Sequence, residues 1–192
     1  MTWDWKEVCA PYADALERLE KGATDDVLLV SLGEQKLEHR RRVAGGDWAL
    51  LATCTVSSGK RPPSCREGSL GTPLGLHEVA EKFGDGAPAG TVFVARESTG
   101  ERYTERPDYG PDQRMLVTTR ILRLGGLEPG HNNGGEVDSF ARYIYLHGTT
   151  HPERFPENLS AGCLTLLDEP LIALYEAVPV GAQVWIQVEP LR

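Results

Sequence analysis

The sequence has no run of apolar residues near the ~20 that a membrane-spanning helix requires. Its first residues, Met1-Thr2-Trp3-Asp4-Trp5-Lys6-Glu7, lack the basic start and apolar stretch of a secretory signal. If Met1 is the native start, the expected location is the cytoplasm. If the chain has been trimmed, it is the periplasm or the cell exterior. Positive charge is also in deficit: 20 Lys and Arg against 28 Asp and Glu give a net charge of −8. That argues against any general affinity for nucleic acid or anionic membranes, while leaving room for a local basic pocket. The four cysteines, Cys9, Cys54, Cys65 and Cys163, contain no CxxC pair and no zinc-finger spacing with histidine. No metal and no other cofactor is expected, and in a cytoplasmic setting the cysteines are thiols.

The chain is rich in turn formers, with 21 glycines and 13 prolines among 192 residues. Many turns favour a strand-rich fold. Trp5, Val8, Cys9, Tyr12, Leu16 and Leu19 recur at three and four, which predicts an amphipathic helix ending near Gly22. Residues 1–24 therefore read as a helical extension and 25–192 as the main domain. Strands are expected over 27–32, 36–43 and 48–56, then from Gly75, at 91–94, 115–124, 140–146 and 184–188, with a helix over 170–177. Arg40, Arg41 and Arg42 read as a solvated face, His39 as structural, and His77 and His131 as solvated by turns. Residues 83–113, rich in Gly, Pro and charge, suit a substrate-facing flap. The count favours a mainly β sandwich or open barrel with a few helices.

The chemistry concentrates between His147 and Cys163. A histidine leaves the strand-like Tyr143-Ile144-Tyr145-Leu146 and is followed by Gly148-Thr149-Thr150. Further on, Ser160-Ala161-Gly162 precedes Cys163. This pattern fits a thiol nucleophile on a tight turn, with an imidazole to take its proton. Spacing alone favours a buried cysteine and a structural histidine that never meet, because such pairs are defined in space. His147 and His151 lie four apart, but Gly148 and two β-branched threonines disfavour the helix a metal pair would need. The Ser160 hydroxyl is better suited to bracing the turn than to attack, since a thiol is the stronger nucleophile.

Taken together, the Ser57-Ser58-Gly59 and Thr72-Pro73-Leu74-Gly75 turns, Arg142 to Thr149, and Ser160-Ala161-Gly162-Cys163 resemble the L,D-transpeptidase catalytic domain, the YkuD family. The family motif is His-Gly-x-x, about a dozen residues, then Ser-His-Gly-Cys. The likeness covers residues 26–190 and is closest to a subgroup without signal peptides. It implies a YkuD-like β-sandwich and acyl-enzyme chemistry on peptidoglycan stem peptides or muropeptides, at the bond between an L-centre and a terminal D-Ala. Cys163 would be the nucleophile and His147 the proton carrier. Gly162, Ser160, Gly148 and Thr149 would shape the site, including an oxyanion hole near Gly162 and Cys163 and a carbonyl near Gly148 or Thr149 that orients the imidazole. Two positions depart from the motif. Ala161 replaces the usual histidine, and Thr165 stands where the family often has Arg or Asn. A substrate carboxylate then needs another cation, with Arg142, Arg154 and Arg120 as candidates and Tyr145 as a further polar group. The implied activity is an L,D-carboxypeptidase of muropeptide recycling, with transpeptidation as its relative. A weakly active module that binds wall peptides or a protein partner is the alternative, and a redox-sensing thiol the third reading.

Overall fold

The fold is given by a computed structural model that describes residues 5–44, 46–105 and 115–191. Ten strands and two helices follow in the order α1 (Trp5–Arg18), β1 (Asp26–Ser31), β2 (Lys36–Arg42), β3 (Trp48–Thr55), β4 (Gly75–Phe83), β5 (Thr91–Val94), β6 (Glu97–Arg102), β7 (Val117–Gly126), β8 (Tyr145–Gly148), β9 (Leu164–Leu166), α2 (Asp168–Ala177) and β10 (Gln183–Gln187). All strands join one mixed sheet, ordered β3-β2-β1-β10-β4-β7-β5-β6, with β8 paired to β7 and β9 to β8. Only β1–β10 and β8–β9 run parallel among the described pairs. No described helix is long and apolar enough to cross a membrane.

The sheet separates two apolar clusters. Leu28, Val30, Leu122, Leu124, Val184 and Ile186 meet Leu146, Leu164 and Leu166, and α2 closes this side with Leu171, Leu174 and Tyr175. Val27, Leu29 and Trp185 point the other way, as strand alternation requires. There they meet Cys9, Tyr12, Ala15 and Leu16 of α1. The N-terminal helix is thus docked on the sheet. It is not one continuous rod: Cys9 has φ −156° and ψ 84°, so Pro11 falls in the first turn of a second helical piece. Proline is tolerated there because its missing N–H has no partner to lose.

Three sequence expectations are corrected. Arg40 is buried, not solvated, and forks onto Glu38 Oε2 with Nε at 2.9 Å and Nη2 at 2.6 Å. A register shift between His39 and Arg40 breaks the alternation of β2 there. Beside it, Asp26 accepts from His39 Nε2 at 2.6 Å and Arg41 Nε at 2.7 Å. His77 is also fully buried, in the middle of the sheet, held by the Gly75 carbonyl and Ser139 Oγ at 3.0 Å each. Burial pushes its imidazole down to about 4. Finally, residues 140–143 form a turn, and the strand begins at Tyr145, so His147 lies within β8 and not after it. Within the expected flap, residues 91–102 form the β5–β6 hairpin, while 106–114 lie outside the described residues.

Candidate active site

Strand β8 aims the histidine. Side chains alternate along it, so Leu146 enters the core while Tyr145 and His147 face a pocket on the opposite side. Gly148 follows because nothing larger fits. A Cβ there would stand 2.7 Å from Thr118 Oγ1 and 2.8 Å from Thr119 Oγ1. The Gly148 carbonyl lies 2.9 Å from His147 Nδ1. A carbonyl only accepts, so Nδ1 carries the proton and Nε2 is left as a base. Burial drives the imidazole down to about 4, with the Gly148 bond opposing. The ring is therefore neutral at pH 7.

The thiol arrives on a turn pinned from several sides. Ser160 Oγ donates to the Cys163 carbonyl at 2.6 Å and accepts from Gly162 N–H at 3.2 Å. The Ser160 carbonyl accepts from Lys60 N–H at 3.0 Å. Gly162 has φ +124°, and a Cβ there would meet the Gly71 carbonyl at 2.9 Å. Glycine is required on both counts. Cys163 Sγ then lies 3.4 Å from Tyr145 N–H and 3.5 Å from the Tyr143 carbonyl, and it is these groups, not His147, that hold it. Burial pushes the thiol up to about 11, while the Tyr145 N–H and the Arg142 charge pull the other way. Thiol and imidazole are both neutral at rest.

Cys163 and His147 line one pocket of about 250 Å³, with Lys60, Met115, Val117, Tyr143, Tyr145, Leu159, Ser160 and Ala161. Thr149 is buried beneath the pocket, where its N–H donates to the Leu166 carbonyl at 3.0 Å and its Oγ1 accepts from His151 N–H at 3.0 Å. Among the described residues no cluster of three or more His, Cys, Asp or Glu side chains suits a metal.

The expected substrate cations sit elsewhere. Arg142 gives its guanidinium to the carbonyls of Ser64, Cys65 and Gly71, at 3.1, 2.8 and 2.9 Å, and approaches Ser69 Oγ at 3.4 Å. It clamps the 64–71 loop against the Gly162 turn. Arg120 turns to the carbonyls of Ala87 and Thr119, at 2.6 Å each, and to the Tyr175 ring. Arg154 pairs with Glu157 at 2.8 Å. Thr165 is buried and meets Ser57 Oγ at 2.7 Å; it shares a face with His147, its partner in the β8–β9 register, but does not itself line the pocket. None of the three arginines lines the pocket, because each lies within reach of backbone carbonyls or a carboxylate of its own neighbourhood. Lys60, Met115, Val117 and Leu159 were not legible as site residues. Lys60 belongs to a polar loop distant in sequence, and only the Ser-Gly turn before it hinted at the site.

Residues 25–186 match the YkuD family, the L,D-transpeptidase catalytic domain, and the chain belongs to that family. Among solved structures, the helical cell shape determining protein Pgp2 of Campylobacter jejuni (K307A mutant) matches at 20% identity and TM-score 0.51, covering 88% of this chain and 49% of that one. Bd1075 of Bdellovibrio bacteriovorus matches at 17% identity and TM-score 0.50, covering 87% and 49%. L,D-transpeptidase 1 of Mycobacterium tuberculosis matches at 20% identity and TM-score 0.46, covering 85% and 61%. The chain thus spans about half to three-fifths of these proteins' lengths. A search of curated protein sequences gave no match.

Proposed function

We propose that this chain performs acyl-enzyme chemistry on peptidoglycan stem peptides, with Cys163 as nucleophile and His147 as general base and acid. The observation that carries this is the shared pocket: His147 presents Nε2 as a base, its ring fixed through Nδ1 by Gly148, beside a glycine-built cysteine turn. Because both groups are neutral, the proton moves as the bond forms. The thiol leaves the Tyr143 carbonyl by a side-chain rotation, His147 Nε2 takes the proton, and sulfur attacks the carbonyl of the L-centre. The imidazolium then protonates the departing D-residue amine, leaving a thioester on Cys163. Gly162 N–H is committed to Ser160 Oγ, so the Cys163 N–H is the preferred oxyanion donor on the turn.

Water as acceptor gives an L,D-carboxypeptidase and an amine gives a cross-link. We favour water as the acceptor. Such an enzyme would trim soluble muropeptides, a recycling role that belongs in the cytoplasm, whereas cross-linking belongs at the wall. Mass spectrometry of products from a defined stem tetrapeptide tests the proposal. Tripeptide plus free D-Ala is the expected result. Dimers or exchange with added D-amino acids would instead make it a transferase. Neither product, with tight peptide binding, would leave the binding module motivated by Ala161 and Thr165.

A further inference from the structure

We propose that Lys60 is the carboxylate anchor of this site, binding the terminal carboxylate of the D-residue whose amine is displaced. This deepens the proposed function and rests on it for the identity of the substrate. Four observations converge on Lys60. It is the one charged side chain among the described residues lining the Cys163 pocket other than the titratable His147 and Cys163 themselves. Its backbone is fixed to the nucleophile turn: Lys60 N–H donates to the Ser160 carbonyl at 3.0 Å, and Gly59 N–H to Thr72 Oγ1 at 2.9 Å. Its side chain is exposed and enters no ion pair among the described residues. The other cations nearby do not line the pocket. Arg142 holds the 64–71 loop, Arg154 holds Glu157, and Arg96 lies 3.5 Å from the Tyr145 hydroxyl and over the Tyr143 ring.

The position also fits the substrate's covalent layout. The scissile nitrogen is bonded to the α-carbon that bears the terminal carboxylate. That carboxylate therefore sits within a few bonds of the carbonyl that Cys163 attacks, and a cation tied to the same turn is placed to meet it. Lys60 does from the β3–β4 loop what Thr165, an uncharged side chain bonded to Ser57, cannot do here. In a chain of net charge −8, a cation lining the pocket also favours entry of an anionic peptide end.

Arg61 supplies the control. It neighbours Lys60 and shares with it an adjacent cavity lined by Pro62, Pro63 and Asn158, but unlike Lys60 it does not line the Cys163 pocket. The first measurement needs no peptide. Alkylation of Cys163 by iodoacetate, an anion, is compared with iodoacetamide, its neutral counterpart, by peptide mapping of the full chain at low salt. In the native chain the anion-to-neutral rate ratio should be higher at Cys163 than at Cys54. Lys60→Met should lower the ratio at Cys163 by ~3–10-fold, Lys60→Arg should keep it, and Arg61→Met should leave it within ~2-fold. An unchanged ratio in Lys60→Met, or an equal fall in Arg61→Met, overturns the proposal. The second measurement uses stem tetrapeptides ending in a free carboxylate or a carboxamide. Lys60→Met should raise KM for the acid ~10-fold while kcat and the amide's KM hardly change. A native enzyme that cleaves neither peptide refutes the peptidoglycan reading, and the alkylation ratio still decides the fate of Lys60.

Discussion

The molecule holds two cysteine–histidine pairs, and they differ in an instructive way. Cys65 Sγ and His131 Nε2 are in contact at 3.8 Å on the surface, beside the long 57–75 loop. Cys163 and His147 share a pocket, yet the sulfur at rest is held by Tyr145 N–H and the Tyr143 carbonyl. Contact therefore does not mark the reactive pair. What marks it is the fixing of everything around the contact. His147 has its second nitrogen anchored by Gly148, while His131 projects from an exposed turn. Cys163 sits on a turn whose glycine has φ +124° and no room for a Cβ, whereas Gly130, before His131, has φ +73° and open space around it. Arg142 links the two, donating to the Cys65 and Gly71 carbonyls and thereby bracing the Gly162 turn.

The sharpest way to break this comparison is to delete each thiol. Cys163→Ala should cut turnover ~10⁴-fold or more with the fold intact, and Cys65→Ala should leave it within ~2-fold. Equal losses would dissolve the distinction. Deleting the imidazoles comes next. His147→Gln should cost ~10²–10⁴-fold in kcat, and His131→Gln almost nothing, read from steady-state rates on the tetrapeptide. The backbone contrast is smaller. Gly162→Ala should destabilise by about 2–3 kcal/mol and slow turnover, because strain and a clash with the Gly71 carbonyl act together. Gly130→Ala, with strain but no clash, should cost about 1 kcal/mol in denaturant titration and leave kcat alone.

A further effect is the pH response. His147 titrates near 4 in the folded chain against 6.5 as its ordinary value, because burial disfavours the charged ring. A depressed folded pKa means the unfolded chain binds the proton first. The stability this group contributes is whole above 6.5 and is lost as pH falls toward 4. His77, also lowered to about 4, acts in the same direction. Denaturation midpoints should fall across that window, and less steeply in His77→Gln. The rate should stay level through mildly acid pH and drop as His147 protonates.

The sequence made the strands visible because alternation and turn residues are local signals. Cys163, His147 and Gly162 stood out through the resemblance of their motif to a family, because spacing alone does not say whether a cysteine and a histidine meet. Arg40 and His77 were misread because burial is decided by what packs above a strand, and α1 and the sheet centre lie far off in sequence. Where the three arginines lie was not legible for a related reason: whether a guanidinium finds a carbonyl before it finds the pocket depends on loop geometry. Lys60 had no local signature at all, since its meaning comes from one hydrogen bond to Ser160 across the fold.

The most direct test of the central claim is to catch the acyl-enzyme. The chain is mixed with a stem tetrapeptide, quenched in acid within the first turnovers, digested and mapped by mass spectrometry. The account predicts a tripeptide-sized thioester on Cys163, absent from Cys65 and absent after His147→Gln on the same timescale. A thioester on Cys65, or tripeptide released with no adduct on Cys163 at any quench time, would contradict it.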